Sequence, residues 1–488
     1  MADNLRQKTV DALSWSFLQT VAQRGLQFVI GIVLARLLFP EQFGLIGMLA
    51  IFIAVIQAFL DSGFGAALIQ KRDVTQTDTC SVFYFNIAVG IVGAGLLSLV
   101  APWIAAFYNQ PILTPLTRAL SLTLVINSFG MIQRTLLTKQ IDFKIQTKVG
   151  LAAGVLSGIA GITLAMLNYG VWSLVVQQVS AAVVNTAGLW LLSTWRPALI
   201  FSFKSLGEMF GFGSRLLFSS ILNQIFDNIY LVVIGKLFSA ADLGFFTRAK
   251  TLNDMPTQTL SGMVARVTFP VFSTIQDDQA RLKRGMKKAL TALGLVNFPM
   301  MIGLAMVAHP LVLVLLTDKW APCIPYLQLL CVAGLLYPLH LINLNALQAL
   351  GRSDLFLRLE IIKKVLIVIN IAVTWRWGIS AMIGGMIATS MISYYLNSYY
   401  SGVLVQYSIR EQVTDLLPYL AVSLLMGLAI FAVSLLAFPN QWSLLVAQVA
   451  GGCLLYAGVC RVLRLTAFMD VWQAMSSRMP LAAAGTTR

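Results

Sequence analysis

Charge is what this sequence has least of. Asp, Glu, Lys and Arg together make up 11% of its 488 residues, less than half of the roughly 25% that keeps an ordinary soluble domain wet. Hydrophobic residues make up 58%. That balance excludes a soluble enzyme and leaves an all-α polytopic membrane protein. Acids are scarcer still, 19 against 34 Lys and Arg, for a formal charge of +15. A soluble basic chain of that charge would suggest nucleic acid, but here there is no soluble domain to bind it, so no nucleic acid partner is expected. Histidine occurs twice, and no pair stands at metal-ligand spacing, so no metal site is expected. The five cysteines, Cys80, Cys323, Cys331, Cys453 and Cys460, form no CxxC pair and sit in or beside apolar runs, where they read as small buried hydrophobes. GxxxxGK[ST], HExxH and GxSxG are all absent, so no ATPase is built in and no catalytic residue is expected. The opening residues are polar and precede no small-residue cleavage site, so the first helix is expected to stay in the membrane.

Long apolar runs are what the sequence has instead. A spanning helix needs about 20 mostly apolar residues, and fourteen stretches qualify, at roughly 14–35, 43–68, 80–101, 115–137, 149–167, 171–193, 210–235, 243–269, 289–315, 322–349, 359–375, 379–405, 415–437 and 441–460. The eighth is the most polar. With the N-terminus inside, 21 of the 34 basic residues fall in cytoplasmic segments, among them Arg281, Lys283, Arg284, Lys287 and Lys288 of the 270–288 loop. Only Arg36, Lys236, Lys319 and Arg376 fall outside. The positive-inside rule thus predicts both termini in the cytoplasm, and topology accounts for most of the basic excess.

The chain also repeats itself weakly at a spacing of 200. Leu34-Ala35-Arg36-Leu37-Leu38 aligns with Ile234-Gly235-Lys236-Leu237-Phe238, and Gly44 with Gly244. The first and seventh helices then have the same orientation, which predicts parallel repeats with a substrate site between two lobes. The expected divisions are an N-terminal lobe at 1–200, a second lobe at 201–405, two further helices within 406–465 and a tail at 466–488. Gly154 and Gly158 form a GxxxG in the fifth helix, read as close helix packing.

Ionisable groups at membrane depth cost about 2.5–3.5 kcal/mol each on insertion scales, so they mark cavities or partners. Nine cations lie in the expected spans. Arg118, Arg134, Arg266, Lys363 and Lys364 stand near helix ends, where long side chains reach the headgroups. Arg24 stands mid-helix beside Gln19, Gln23 and Gln27, which share one face. It either lines a wet cavity or pairs with an acid such as Asp61 or Asp227. Asn223, Gln224, Asp227 and Asn228 repeat the theme on the seventh helix, where Arg215 also lies. Thr247, Lys250, Thr251, Asp254 and Gln258 give the eighth a polar face, with Arg248 beside it. His340, Asn343, Asn345 and Gln348 add polar groups to the tenth, though His340 reads first as structural. Cations outnumber acids at depth, which suits an anion and phosphate above all.

The runs Leu34–Leu49, Asp61–Gln70, Leu243–Pro256, Val264–Asp278, Asn297–Leu304 and Lys319–Leu330 resemble the polysaccharide transport family of lipid-linked oligosaccharide flippases, closest to its colanic acid exporter type. The resemblance covers roughly residues 5–440. It implies a fold of about fourteen helices shared with the multidrug and toxic compound extrusion transporters, with two six-helix lobes, two C-terminal helices and a central cavity. It implies movement of an undecaprenyl-diphosphate-linked oligosaccharide across the bacterial inner membrane, without a cofactor but with H⁺ or Na⁺ as coupling ions to consider. Membrane lipid, polysaccharide polymerase and glycosyltransferases are the implied partners. Arg24, Arg248, Lys250 and Arg215 are the implied pyrophosphate ligands, and Gln23, Gln27, Asn223, Asp227, Asp254 and His340 the polar lining. Two other functions stay open. A drug or metabolite antiporter of the same fold would want a more acidic cavity, and a membrane polymerase or ligase would want a large external loop.

Overall fold

The computed structural model describes residues 21–61 and 64–476, which are helical apart from short turns and a ten-residue extended connection at 193–202. Helix α1 is described over 21–37. It is followed by α2 (Pro40–Asp61), α3 (Phe64–Gln70), α4 (Gln76–Tyr108), α5 (Leu113–Lys139), α6 (Phe143–Met166) and α7 (Val171–Leu192). Then come α8 (Phe203–Leu237), α9 (Ala240–Thr274), α10 (Gln279–Met306) and α11 (Ala308–Leu316). The chain closes with α12 (Ile324–Gly334), α13 (Tyr337–Ala349), α14 (Ser353–Thr374), α15 (Ile379–Val405), α16 (Ile409–Ser434), α17 (Gln441–Val462) and α18 (Thr466–Ser476). Eleven helical segments among the described residues are long and apolar enough to cross a membrane. Helices α9 and α14 do not meet that measure, because Arg248, Lys250 and Asp254 interrupt one and Arg358, Glu360, Lys363 and Lys364 the other.

Polar residues at the joints set where helices begin. Thr75 caps α4 in a capping box with Asp78. Asp142 accepts from the Ile145 N–H at 3.2 Å, Asp278 from Arg281 at 2.9 Å and Asn440 from Ser443 at 2.8 Å. Each satisfies one of the donors a helix start leaves open.

Three expected boundaries differ from the structure. The stretch 322–349 is two helices, α12 and α13, and 289–315 is likewise divided into α10 and α11. Each break falls four residues before a proline, Pro338 and Pro310, whose rings clash with the carbonyl four positions back and supply no N–H. At the first break the fully buried Asn297 donates through Nδ2 to the Leu335 carbonyl at 2.8 Å and to that of Gly334 at 3.4 Å. Backbone freed inside a membrane protein must find such a substitute. The third difference is the basic 270–288 loop, most of which is helix. Lys283, Lys287 and Lys288 lie on the first turns of α10 and pair with Glu411 (2.7 Å), Asp415 (2.7 Å) and Asp470 (3.0 Å).

Packing divides the chain into two compact units, Met1–Thr247 and Arg248–Arg488. In the first, α4 packs along α5, α7 packs against both α5 and α6, and α2 runs beside α8. The glycines Gly150, Gly154 and Gly158 form a groove along α6 that receives Gln23, Leu26 and Ile30 of α1, so close that an added Cβ would lie 1.7, 2.7 and 2.5 Å from them. In the second unit, α10 packs on α16, α16 on α17 and α15 on α12 and α14. Four cysteines are buried as expected; Cys453 is exposed on α17.

Candidate functional site

The first unit holds a half-open cavity of about 600 Å³ lined by α1, α2, α5, α6 and α7, within the roughly 300–1,000 Å³ usual for small-molecule sites. Five helices can surround such a space because the α6 glycines draw α1 close on one side only. The wall is a belt of side-chain amides: Gln23 and Gln27 from α1, Gln57 from α2, Asn127 from α5, and Gln177, Gln178 and Asn185 from α7. The spacing places them. Gln23 and Gln27 are one turn apart, as are Thr123 and Asn127, and Gln177, Ala181 and Asn185 recur at i, i+4 and i+8. Asn127 donates to Gln57 Oε1 at 3.4 Å. The hydroxyls of Thr123 and Ser157 are satisfied by their own helices, through the carbonyls of Leu120 (2.6 Å) and Gly154 (3.1 Å).

Among the described residues the amides of Gln27, Gln177, Gln178 and Asn185 find no hydrogen-bond partner. Each offers two donors and an acceptor to whatever occupies the space. Among the described residues the lining contains one charged side chain, Arg134, and no carboxylate. Its remaining surface is apolar, from Leu26, Ile30, Leu34, Phe43, Ile53 and Leu174.

Gln23 and Gln27 stand in this wall. Arg24 is half-buried on α1 next to Gln23 and is not among the lining residues. Asn223 and Asp227 lie one turn apart on an exposed face of α8, outside the cavity. The side chain of Arg215 lies outside the described residues, as do those of Gln19 and Asp61.

The other cations at depth belong to the second unit and have protein neighbours there. Arg248 is 8% exposed, with its guanidinium 5.5 Å from the centre of the Trp320 ring. Lys250 forms an ion pair with Asp254 one turn along α9, and Asn253 donates to the other Asp254 oxygen at 3.3 Å. His340 is buried, with Nε2 3.2 Å from Ser390 Oγ, Nδ1 3.2 Å from Asn397 Nδ2, and its ring edge-on to Tyr394. Both ring nitrogens are thus engaged between α13 and α15, the geometry of a structural histidine. Beside it, the fully buried Gln412 accepts from Tyr394 (2.9 Å) and Ser398 (3.1 Å) and exchanges two bonds with Asn343 (both 3.2 Å).

Sequence reasoning missed Gln57, Asn127, Gln177, Gln178 and Asn185, and assigned Arg134 to the headgroups. The signal was available as polar residues at helical spacing on α5 and α7, but neutral amides are cheaper at depth than charges and stand out less.

Several known proteins are similar to this chain. A lipopolysaccharide biosynthesis protein of Escherichia coli K12, WzxC, is 31% identical over 371 residues, which span 75% of each chain. The succinoglycan biosynthesis transport protein ExoT of Rhizobium meliloti is 28% identical over 69% of each. Among solved structures, the lipid II flippase MurJ in its inward closed conformation superposes with a TM-score of 0.73 at 14% identity, over 93% of this chain and 99% of that one. An inward-facing multidrug resistance transporter of the MATE family gives 0.62 at 17% identity, over 81% and 99%. These last two establish the fold. Residues 33–325 match the model of the polysaccharide biosynthesis protein family, and the chain belongs to that family.

Proposed function

We propose that the protein is a flippase that moves an undecaprenyl-diphosphate-linked oligosaccharide from the cytoplasmic to the outer leaflet of the bacterial inner membrane. The observation that carries this reading is the amide-lined cavity of the first unit, set in a membrane-spanning helical bundle of the MurJ and MATE type. A sugar presents many hydroxyls, each both donor and acceptor, and side-chain amides match that chemistry without charge. The polyprenyl tail needs no site, because lipid already solvates it. Nothing in the passage breaks or makes a covalent bond, so a binding wall and a change of access suffice.

The finer features belong to the same proposal. The chain crosses the membrane fourteen times with both termini cytoplasmic, and its repeats fall at 1–200 and 201–405. Arg24, next to the cavity on α1, takes the pyrophosphate, and Arg248 and Lys250 are further candidate ligands on α9, Lys250 by releasing Asp254. H⁺ and Na⁺ gradients are the candidate drivers of the cycle. The positive-inside distribution and the cations at depth support these assignments. Deletion of the gene should leave lipid-linked oligosaccharide in the cytoplasmic leaflet, out of reach of a membrane-impermeant sugar label on spheroplasts. The wild-type gene should restore labelling, and Arg24→Ala combined with Arg248→Ala and Lys250→Ala should not. Restored labelling by that triple variant would remove the pyrophosphate assignment.

A further inference from the structure

Helix α18 ties its polar residues to the protein and leaves its large apolar ones outside. Thr466 Oγ1 lies 3.3 Å from Tyr419 Oη of α16, and Asp470, one turn on, pairs with Lys288 of α10 at 3.0 Å. The Ala467 N–H also donates to Tyr419 Oη at 3.2 Å. Val471 and Trp472 have no such cover: they are 48% and 47% exposed. The Trp472 ring stacks on Phe468, with centres 6.1 Å apart, and the Arg461 guanidinium lies 5.1 Å from the centre of the Trp472 ring. Among the described residues neither Arg461 nor Arg464 forms an ion pair, and both are exposed.

Three neighbours fix the level of α18. Helix α17 is long and apolar enough to span the membrane and ends at Val462, and the three residues that follow cannot carry the chain more than roughly 14 Å from it. They fold into a tight cap instead, with Arg464 in the left-handed region (φ 51°) and the Leu465 N–H on the Cys460 carbonyl at 3.1 Å. On α10, Lys288 is the last charged residue before a charge-free run to Met306, and on α16, Tyr419 stands one turn past Asp415, the last charged residue of that helix. A spanning helix loses its charges where it enters the hydrocarbon. The contacts of α18 with all three helices therefore fall at that boundary, where a helix with an exposed Trp and flanking Arg belongs.

We propose that α18 lies on the membrane surface as an anchor for anionic phospholipid. Val471 and Trp472 enter the acyl boundary, and Arg461 and Arg464 hold the headgroup phosphates. Stacking on Trp472 fixes the Arg461 fork while leaving its N–H groups open to a phosphate. Lipid is the occupant because the exposed face continues the outer surface of α17, where Val462 is 81% exposed, and because the two cations beside it complement a negative surface. The site shares no residue with the cavity of the first unit, so it does not depend on what that cavity carries.

The test uses the full-length protein reconstituted in vesicles of phosphatidylcholine, alone or mixed with phosphatidylglycerol. Trp472 emission, taken as the difference between wild type and Trp472→Phe, should be quenched by lipid brominated near the headgroup and protected from aqueous acrylamide. In detergent, phosphatidylglycerol should raise the melting point at lower concentration than phosphatidylcholine does. Each basic residue at an anionic surface is worth about fivefold in binding. Arg461→Gln combined with Arg464→Gln should therefore move the phosphatidylglycerol midpoint up by roughly thirtyfold and leave the phosphatidylcholine response unchanged. Arg461→Lys should keep part of the preference. Both arginines are exposed, so melting without added lipid should match wild type. Trp472 emission quenched by acrylamide and not by brominated lipid, equal responses to the two lipids, or a preference that survives the double variant overturns the proposal. Protection from both quenchers would mean that a second copy or another protein covers the face, and would overturn it as well.

Discussion

Gly44→Ala should be among the most damaging single-methyl additions this protein can receive. Gly44 and Gly244 are equivalent in the 200-residue repeat, and the first turns of α2 and α9 meet there. A Cβ on Gly44 would lie 1.7 Å from the Ala240 carbonyl oxygen and 2.6 Å from its carbon. A Cβ on Gly244 would lie 1.9 Å from the Pro40 carbonyl oxygen and 2.6 Å from its carbon. The contact is reciprocal: each glycine faces the residue four positions before its counterpart, as a local two-fold relation requires. Ordinary non-bonded contacts are about 3.5–4.0 Å, so one methyl must push the helices apart by about 2 Å. The obstacle is backbone, which cannot turn aside as a side chain can. Overpacking costs typically 1–3 kcal/mol and occasionally more, and this case belongs at the upper end. Gly303→Ala is the control, because its nearest atom, Met426 Cε, stands at 3.5 Å. The pair also predicts a non-additive cycle. Once one methyl has separated the two turns, the second finds space, so the double variant should lose clearly less than the sum of the singles. Thermal unfolding of the purified protein in detergent measures all four. A Gly44→Ala melting point equal to that of Gly303→Ala, or strictly additive losses, would refute the contact and the two-fold relation with it.

Asn297→Leu should destabilise the second unit by roughly 1–3 kcal/mol, because the Gly334 and Leu335 carbonyls lose their donor. Adding Pro338→Ala, which restores an N–H at the break, should recover part of the loss in the same melting assay. The pair of Lys71 and Asp78, 2.9 Å apart, makes stability depend on alkaline pH. The hydrogen bond to Asp78 raises the Lys71 pKa above its ordinary 10.5. Its contribution is therefore complete below the ordinary lysine value and is lost as pH rises through the raised one. Melting curves across the alkaline range should show a steeper fall for wild type than for Lys71→Met, and parallel curves would count against the pair.

The sequence makes the helical frame legible because a bilayer demands about 20 apolar residues per crossing, and few other structures produce such runs. It also announces the α1 stripe, since Gln23 and Gln27 are conspicuous at one-turn spacing, and the GxxxG of α6, whose close partner proves to be α1. The breaks before Pro310 and Pro338 are local chemistry that run length conceals. The helical start of α10 is hidden because Arg281 to Lys288 read as loop by charge, although their acids on α16 and α18 make helix acceptable there. The cavity wall lies mostly beyond sequence reasoning: Asn127 and Gln178 become neighbours only through packing of α5 and α7. The same holds for Arg248, whose aromatic neighbour Trp320 comes from a distant turn. Lys250 and Asp254 are the counterexample, an ion pair readable directly from a spacing of four.

The most direct measurement follows a fluorescent lipid-linked oligosaccharide in proteoliposomes of the purified protein, with an impermeant quencher reporting its leaflet. Protein-containing vesicles should bring the inner-leaflet pool within reach of the quencher much faster than protein-free vesicles, and replacing Gln27, Asn127 and Gln178 by Leu should slow this exchange without lowering the melting point. Exchange no faster than in protein-free vesicles, with the protein folded and inserted, would contradict it.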